Sequence, residues 1–123
     1  MTEIKIPIFQ TEVTEIGQDA QSFKDINMLI LFGNEAPDLL KESCFIINSK
    51  DLKDKITPGM TIQIGNDTYT ITAVGKEVDT NLRNLGHIAI KFTGEDKAEL
   101  PGSLYVEKKE FPTIAVGTKI LIF

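Results

Sequence analysis

The chain has 123 residues, 41% of them hydrophobic, which suits one domain spanning residues 1–123 around a single buried core. Its 13 Lys and Arg are scattered among 18 Asp and Glu, giving a net charge of -5 and a pI near 4.8, so no basic stripe exists to track nucleic acid or an anionic membrane. Cys44 is the only cysteine, which excludes an internal disulfide and a cysteine-based metal cage; without a long apolar span or a basic, apolar leader, the chain suits a reducing, cytoplasmic setting without direct membrane insertion.

A two-residue repeat dominates the pattern. Ile4, Ile6 and Ile8 alternate with polar or turn residues, and Val13 and Ile16 continue the pattern to Gly17, as in one long, bent strand. An unpaired edge at Ile4 to Ile8 would invite strand exchange or a homodimer. After the polar stretch Gln18 to Asn27, the apolar run Met28 to Phe32 closes on Gly33-Asn34 and reads as a buried strand. The clearest helical signal is Asn34 to Glu42, with Pro37 near the start, acids in the first turn and Lys41 near the end. Cys44 to Ile47 reads as a short buried strand. Ile62 and Ile64 before Gly65-Asn66-Asp67, with Tyr69 and Ile71 after it, predict a hairpin.

Turn glycines precede strands at Pro58-Gly59, Pro101-Gly102 and Val116-Gly117, at unequal intervals, as turn chemistry recurring in a β protein without a true repeat. At least seven short strands and one short helix point to an all-β fold, a small closed or partly open Greek-key-like barrel, in which closure removes exposed edges. The strands look too short and turn-rich for βαβ crossovers.

The single histidine, His87, and the single arginine, Arg83, share the run Asn81-Leu82-Arg83-Asn84-Leu85-Gly86-His87. An imidazole can be an uncharged nucleophile near neutrality, and a guanidinium matches phosphate oxygens, so the run suggests phosphoryl chemistry; a hydrogen-bonded structural histidine is the alternative. In His87 to Phe92 the residues Ile88, Ile90 and Phe92 share one parity, which turns His87, Ala89 and Lys91 away from the core. Gly86 gives a partner or a phosphate room to approach the imidazole, or else serves a turn needing positive φ. Arg83 would steady phosphate oxygens with the amides of Asn81 or Asn84, or else pair with Asp79 at the surface. Cys44 reads as a packed small hydrophobe, and Glu95, Asp96 and Glu99 as a solvated turn. No metal-ligand spacing, cofactor motif or Walker sequence is present. The lack of tryptophan disfavours direct stacking on a sugar.

The segments Cys44-Phe45-Ile46, Thr72-Ala73-Val74-Gly75, Asn81 to His87 and Pro101-Gly102-Ser103 resemble, in order and spacing, the enzyme IIA component of the glucitol/sorbitol phosphotransferase system, from about Gln10 to the C-terminus. The resemblance implies a cytoplasmic relay that takes a phosphoryl group from the histidine-containing phosphocarrier protein and passes it, through a phosphohistidine, to the glucitol/sorbitol permease subunits. It also implies an acceptor histidine directly after Cys44-Phe45-Ile46, where this chain has Ile47, a side chain with no nucleophilic atom. The acceptor is then His87, or the chain is a non-catalytic binding or regulatory homologue.

Overall fold

Alternating side chains send one apolar set into the centre of a sheet that closes on itself. The computed structural model describes residues 6–123. Its strands are β1 (Phe9–Ile16), β2 (Met28–Gly33), β3 (Phe45–Ile47), β4 (Thr61–Ile64), β5 (Asp67–Val74), β6 (Ile88–Lys91), β7 (Ser103–Val106) and β8 (Lys119–Ile122), hydrogen-bonded around a closed barrel in the order β1-β3-β2-β6-β7-β5-β4-β8. The all-β expectation holds, and so does the hairpin, with Ile62 opposite Tyr69 in the β4–β5 pair. Leu29, Leu31, Phe45, Ile88, Ile90 and Leu104 belong to the interior cluster. A smaller cluster of Phe32, Ala36, Cys44 and Ile46 lies apart from it, built from the opposite parity of β2 and β3.

Two expectations about connectivity are corrected. The pairs β2–β3 and β6–β7 are parallel, and β2 reaches β3 through the helix α1 (Asp38–Lys41), so a crossover does occur between short strands. Ile4 lies outside the described residues, but Ile8 is not a free edge: its N–H donates to the Ile122 carbonyl at 2.8 Å and its carbonyl accepts from the Lys53 N–H at 2.9 Å. β1 itself is flanked by β3 and β8.

The helices also differ from expectation. The helix expected over Asn34 to Glu42 shrinks to the single turn α1, because Leu39 is 81% and Leu40 47% exposed and no apolar face extends it. Residues Ala20–Ile26 form a 3-10 helix within the polar stretch. A second helix, α2 (Val78–Leu85), occupies most of the run that holds Arg83, with Val78 and Leu82 buried.

The barrel has an internal two-fold likeness. Exchanging β1 with β5, β2 with β6, β3 with β7 and β4 with β8 reproduces the strand order read the other way round. Hydrogen bonds repeat with it. Gly17 N–H donates to Cys44 O and Gly75 N–H to Ser103 O, both at 2.9 Å, while Gly59 N–H reaches Ile71 O at 2.8 Å and Gly117 N–H reaches Val13 O at 2.7 Å. Gly59 and Gly117 also share left-handed φ values of 97° and 95°. The Pro58-Gly59 and Val116-Gly117 turns are therefore equivalent parts of a structural repeat, whereas Pro101-Gly102 belongs to a different position in the unit.

Candidate functional site

His87 reaches its place through the way α2 ends. Gly86 terminates the helix in the left-handed region, φ 66°, and its N–H donates to Leu82 O at 2.9 Å. The backbone there presses onto β2: a Cβ at Gly86 would stand 2.8 Å from Gly33 N, and one at Gly33 would stand 2.7 Å from Leu85 O. Positive φ is thus the reason for Gly86, and the space beside it is filled by Gly33, leaving no opening there for a partner or a phosphate. β6 then pairs antiparallel with β2, with Ile88 opposite Leu31. This register sets His87 beside Phe32, on the parity opposite the buried Ile88 and Ile90.

The imidazole is half-buried and stacks on the Phe32 ring, centroids 4.5 Å apart and planes 29° apart. Its Nδ1 lies 3.1 Å from the Leu31 carbonyl oxygen. A carbonyl can only accept, so Nδ1 carries the hydrogen and Nε2 of the neutral ring carries the lone pair. Among the described residues only Asp79 Oδ1 and Thr93 Oγ1 are sealed from water without a partner, so Nε2, which makes no hydrogen bond either, reaches solvent.

The other candidates point elsewhere. Arg83 is exposed and donates from Nε to the Leu52 carbonyl at 3.2 Å; among the described residues no hydrogen bond or ion pair joins it to His87 or to Asp79. The surface pairing with Asp79 is thus not formed. Asn81 is half-buried, its carbonyl accepts from the His87 N–H at 3.3 Å, and its amide Nδ2 lies near Gly102. Asn84 is exposed, and its carbonyl accepts from Lys50 Nζ at 3.1 Å.

Sequence reasoning missed a cavity of about 220 Å³ between Phe32, Ile47, Asn48, Lys50, Asn84 and Leu85. Lys50 spans its rim, with Nζ also 3.4 Å from Glu35 Oε1. The Asn48 side chain anchors the segment after β3, its Oδ1 accepting from Thr11 Oγ1 and from the Glu12 N–H, both at 3.1 Å. The available signal was the polar run Asn48-Ser49-Lys50 directly after a wholly apolar strand. Ile47 is buried in the interior cluster, at the cavity and near Gly86. His87 does not line the cavity; Phe32 both lines it and stacks on the imidazole. Cys44 is buried, and burial pushes its thiol up, which keeps it protonated. Glu95, Asp96 and Glu99 are exposed.

The closed barrel is shared with a solved structure described as a PTS system IIA component from Enterococcus faecalis V583, at a TM-score of 0.82 and 32% identity, covering 91% of this chain and 97% of that one. That defines the class. The family model described as "PTS system glucitol/sorbitol-specific IIA component" matches residues 8–121. Two relatives described as PTS system glucitol/sorbitol-specific EIIA components, from Shigella flexneri and from Escherichia coli strain K12, are each 40% identical over 111 residues, 90% of this chain and 90% of theirs. The chain belongs to the glucitol/sorbitol-specific IIA component family of the phosphotransferase system.

Proposed function

We propose that this chain is a cytoplasmic phosphoryl relay of a sorbitol phosphotransferase system, and that His87 is its acceptor. The carrying observation is the Nδ1–H bond to the Leu31 carbonyl, which leaves the lone pair on a solvent-reachable Nε2. In the transfer, Nε2 attacks the phosphorus of the phosphohistidine on the histidine-containing phosphocarrier protein, in line with the departing imidazole. The new N–P bond forms as the carrier's N–P bond breaks, and the carrier's nitrogen leaves with the electron pair. Positive charge gathering on the His87 ring is eased by the Nδ1–H bond to Leu31 O. The reverse geometry hands the group to the glucitol/sorbitol permease subunits. Arg83 serves by exchanging its contact at Leu52 for the phosphoryl oxygens, with the amide of Asn81 or Asn84 turning from its present place to assist.

A second reading is favoured by one observation. Where the family resemblance implies an acceptor, Ile47 is buried beside a cavity that His87 does not line. On that reading the chain binds the permease subunits without carrying phosphate.

Incubation with phosphoenolpyruvate, enzyme I and the phosphocarrier protein, followed by intact-mass measurement, decides between them. The relay predicts a gain of one phosphoryl group that disappears in His87→Gln, and a slower gain in Arg83→Ala. No gain in the unaltered chain, or a gain that persists in His87→Gln, removes His87 as the acceptor.

A further inference from the structure

We infer that Phe32 is a positioning residue for His87, acting with the Leu31 carbonyl to hold the imidazole in the Nδ1–H form with Nε2 free. The inference deepens the relay reading and rests on it for its functional meaning, but its physical content concerns the ring alone.

Two contacts on adjacent β2 residues fix the same imidazole. The Leu31 carbonyl takes the Nδ1 hydrogen at 3.1 Å, which orients the ring edge, and the Phe32 ring stacks on its face at 4.5 Å. The hydrogen bond alone permits the ring to tip about its axis. The stack alone permits it to turn over by half a rotation about Cβ–Cγ, which would put Cδ2 where Nδ1 stands and break the bond to Leu31 O. Together they leave one placement, in which Nδ1 is occupied and Nε2 has no hydrogen-bond partner and is not sealed from water.

Phe32 is itself held. It is 7% exposed and packs with Ala36, Cys44 and Ile46 in the smaller apolar cluster, so the platform under the imidazole is itself held by close packing. Gly33, next along β2, is in backbone contact with Gly86, next before His87. The stacked rings are therefore bracketed by a backbone contact that leaves neither strand room to slide.

Because the chain has a single histidine, every imidazole signal in a nitrogen NMR spectrum belongs to His87. In the unaltered chain well above neutral pH, one ring nitrogen, assigned as Nδ1, is expected to be of the protonated type and Nε2 of the unprotonated type. Phe32→Leu keeps an apolar side chain in the cluster and removes the stack; Nε2 is expected to move toward the averaged signal of mixed tautomers. Phe32→Tyr keeps the stack and is expected to restore the original pattern, which a loss of packing alone would not explain. In the relay assay the Leu variant is expected to accept phosphate roughly two- to tenfold more slowly, as suits one lost aromatic contact. An unchanged imidazole pattern in Phe32→Leu, or no restoration in Phe32→Tyr, overturns the inference. Failure of the unaltered chain to take up phosphate instead overturns the relay reading and leaves the nitrogen pattern to decide the role of Phe32.

Discussion

Tyr69 shows how one side chain couples the barrel to pH. Its ring packs edge-on against Phe92, 4.9 Å between centroids, and its hydroxyl donates to the Glu110 carbonyl at 2.6 Å. Burial pushes its pKa from 10.0 up to about 12, with Asp67, Glu110 and Glu107 adding in the same direction. The neutral phenol is the form the fold accepts. Below pH 10 both folded and unfolded chains keep the proton and the contribution is whole; as pH rises from 10 to about 12 only the unfolded chain releases it, and stability falls by about 2–3 kcal/mol. Denaturant titrations across that range are expected to show the decline, and Tyr69→Phe is expected to lack this part of it. An equal slope in the two proteins would exclude Tyr69 as the source. At this scale the sequence was readily legible for His87. Alternation over Ile88, Ile90 and Phe92 suffices to turn the imidazole outward, because a strand has only two faces. Arg83 was not legible in the same way, since nearness in sequence says little about direction once a helical turn and a left-handed glycine intervene.

At the scale of elements, the join between α2 and β6 decides where the imidazole stands. Gly86→Ala places a Cβ in left-handed backbone, costing about 1–2 kcal/mol, and drives it against Gly33 N. A total loss of roughly 2–4 kcal/mol is expected, seen as a melting temperature lower by on the order of 10 °C. A nitrogen spectrum of His87 disturbed at temperatures where the variant remains folded is also expected. A variant as stable as the parent would show that the two backbones separate freely. The helix itself escapes a strand-oriented reading because the candidate residues of Asn81 to His87 fall at the end of the element. Val78, Leu82 and Leu85 do recur at helical spacing before a stopping glycine, but the segment is only two turns long. The opposite error arises at Asn34 to Glu42, where capping residues are in order but the leucines face water. Caps delimit a helix; a buried face sustains it.

For the whole molecule, the two-fold likeness makes a demand on assembly. β4 pairs with β5 and β8, and β1 with β8 and β3, so each half completes the other's sheet. Cutting the chain between Gly65 and Asn66, in the β4–β5 turn, is expected to give two fragments that co-purify as a β-rich complex and aggregate when made separately. A fragment that folds alone as a monomer would contradict this. The repeat is hard to see in the sequence because equivalent positions keep backbone requirements while side chains diverge. Gly17 and Gly75 lie at the same interval as Gly59 and Gly117, yet Cys44 and Ser103, or Ile46 and Tyr105, share little beyond their place.

β2 of the first half meets β6 of the second along one seam, and the imidazole comes from one side while the carbonyl that sets its tautomer comes from the other. The same seam holds a second, equivalent position, where Met28 stands opposite Lys91. A doubled architecture thus offers two berths for a stacked pair of rings, and the chain places an imidazole against a phenyl ring in only one of them.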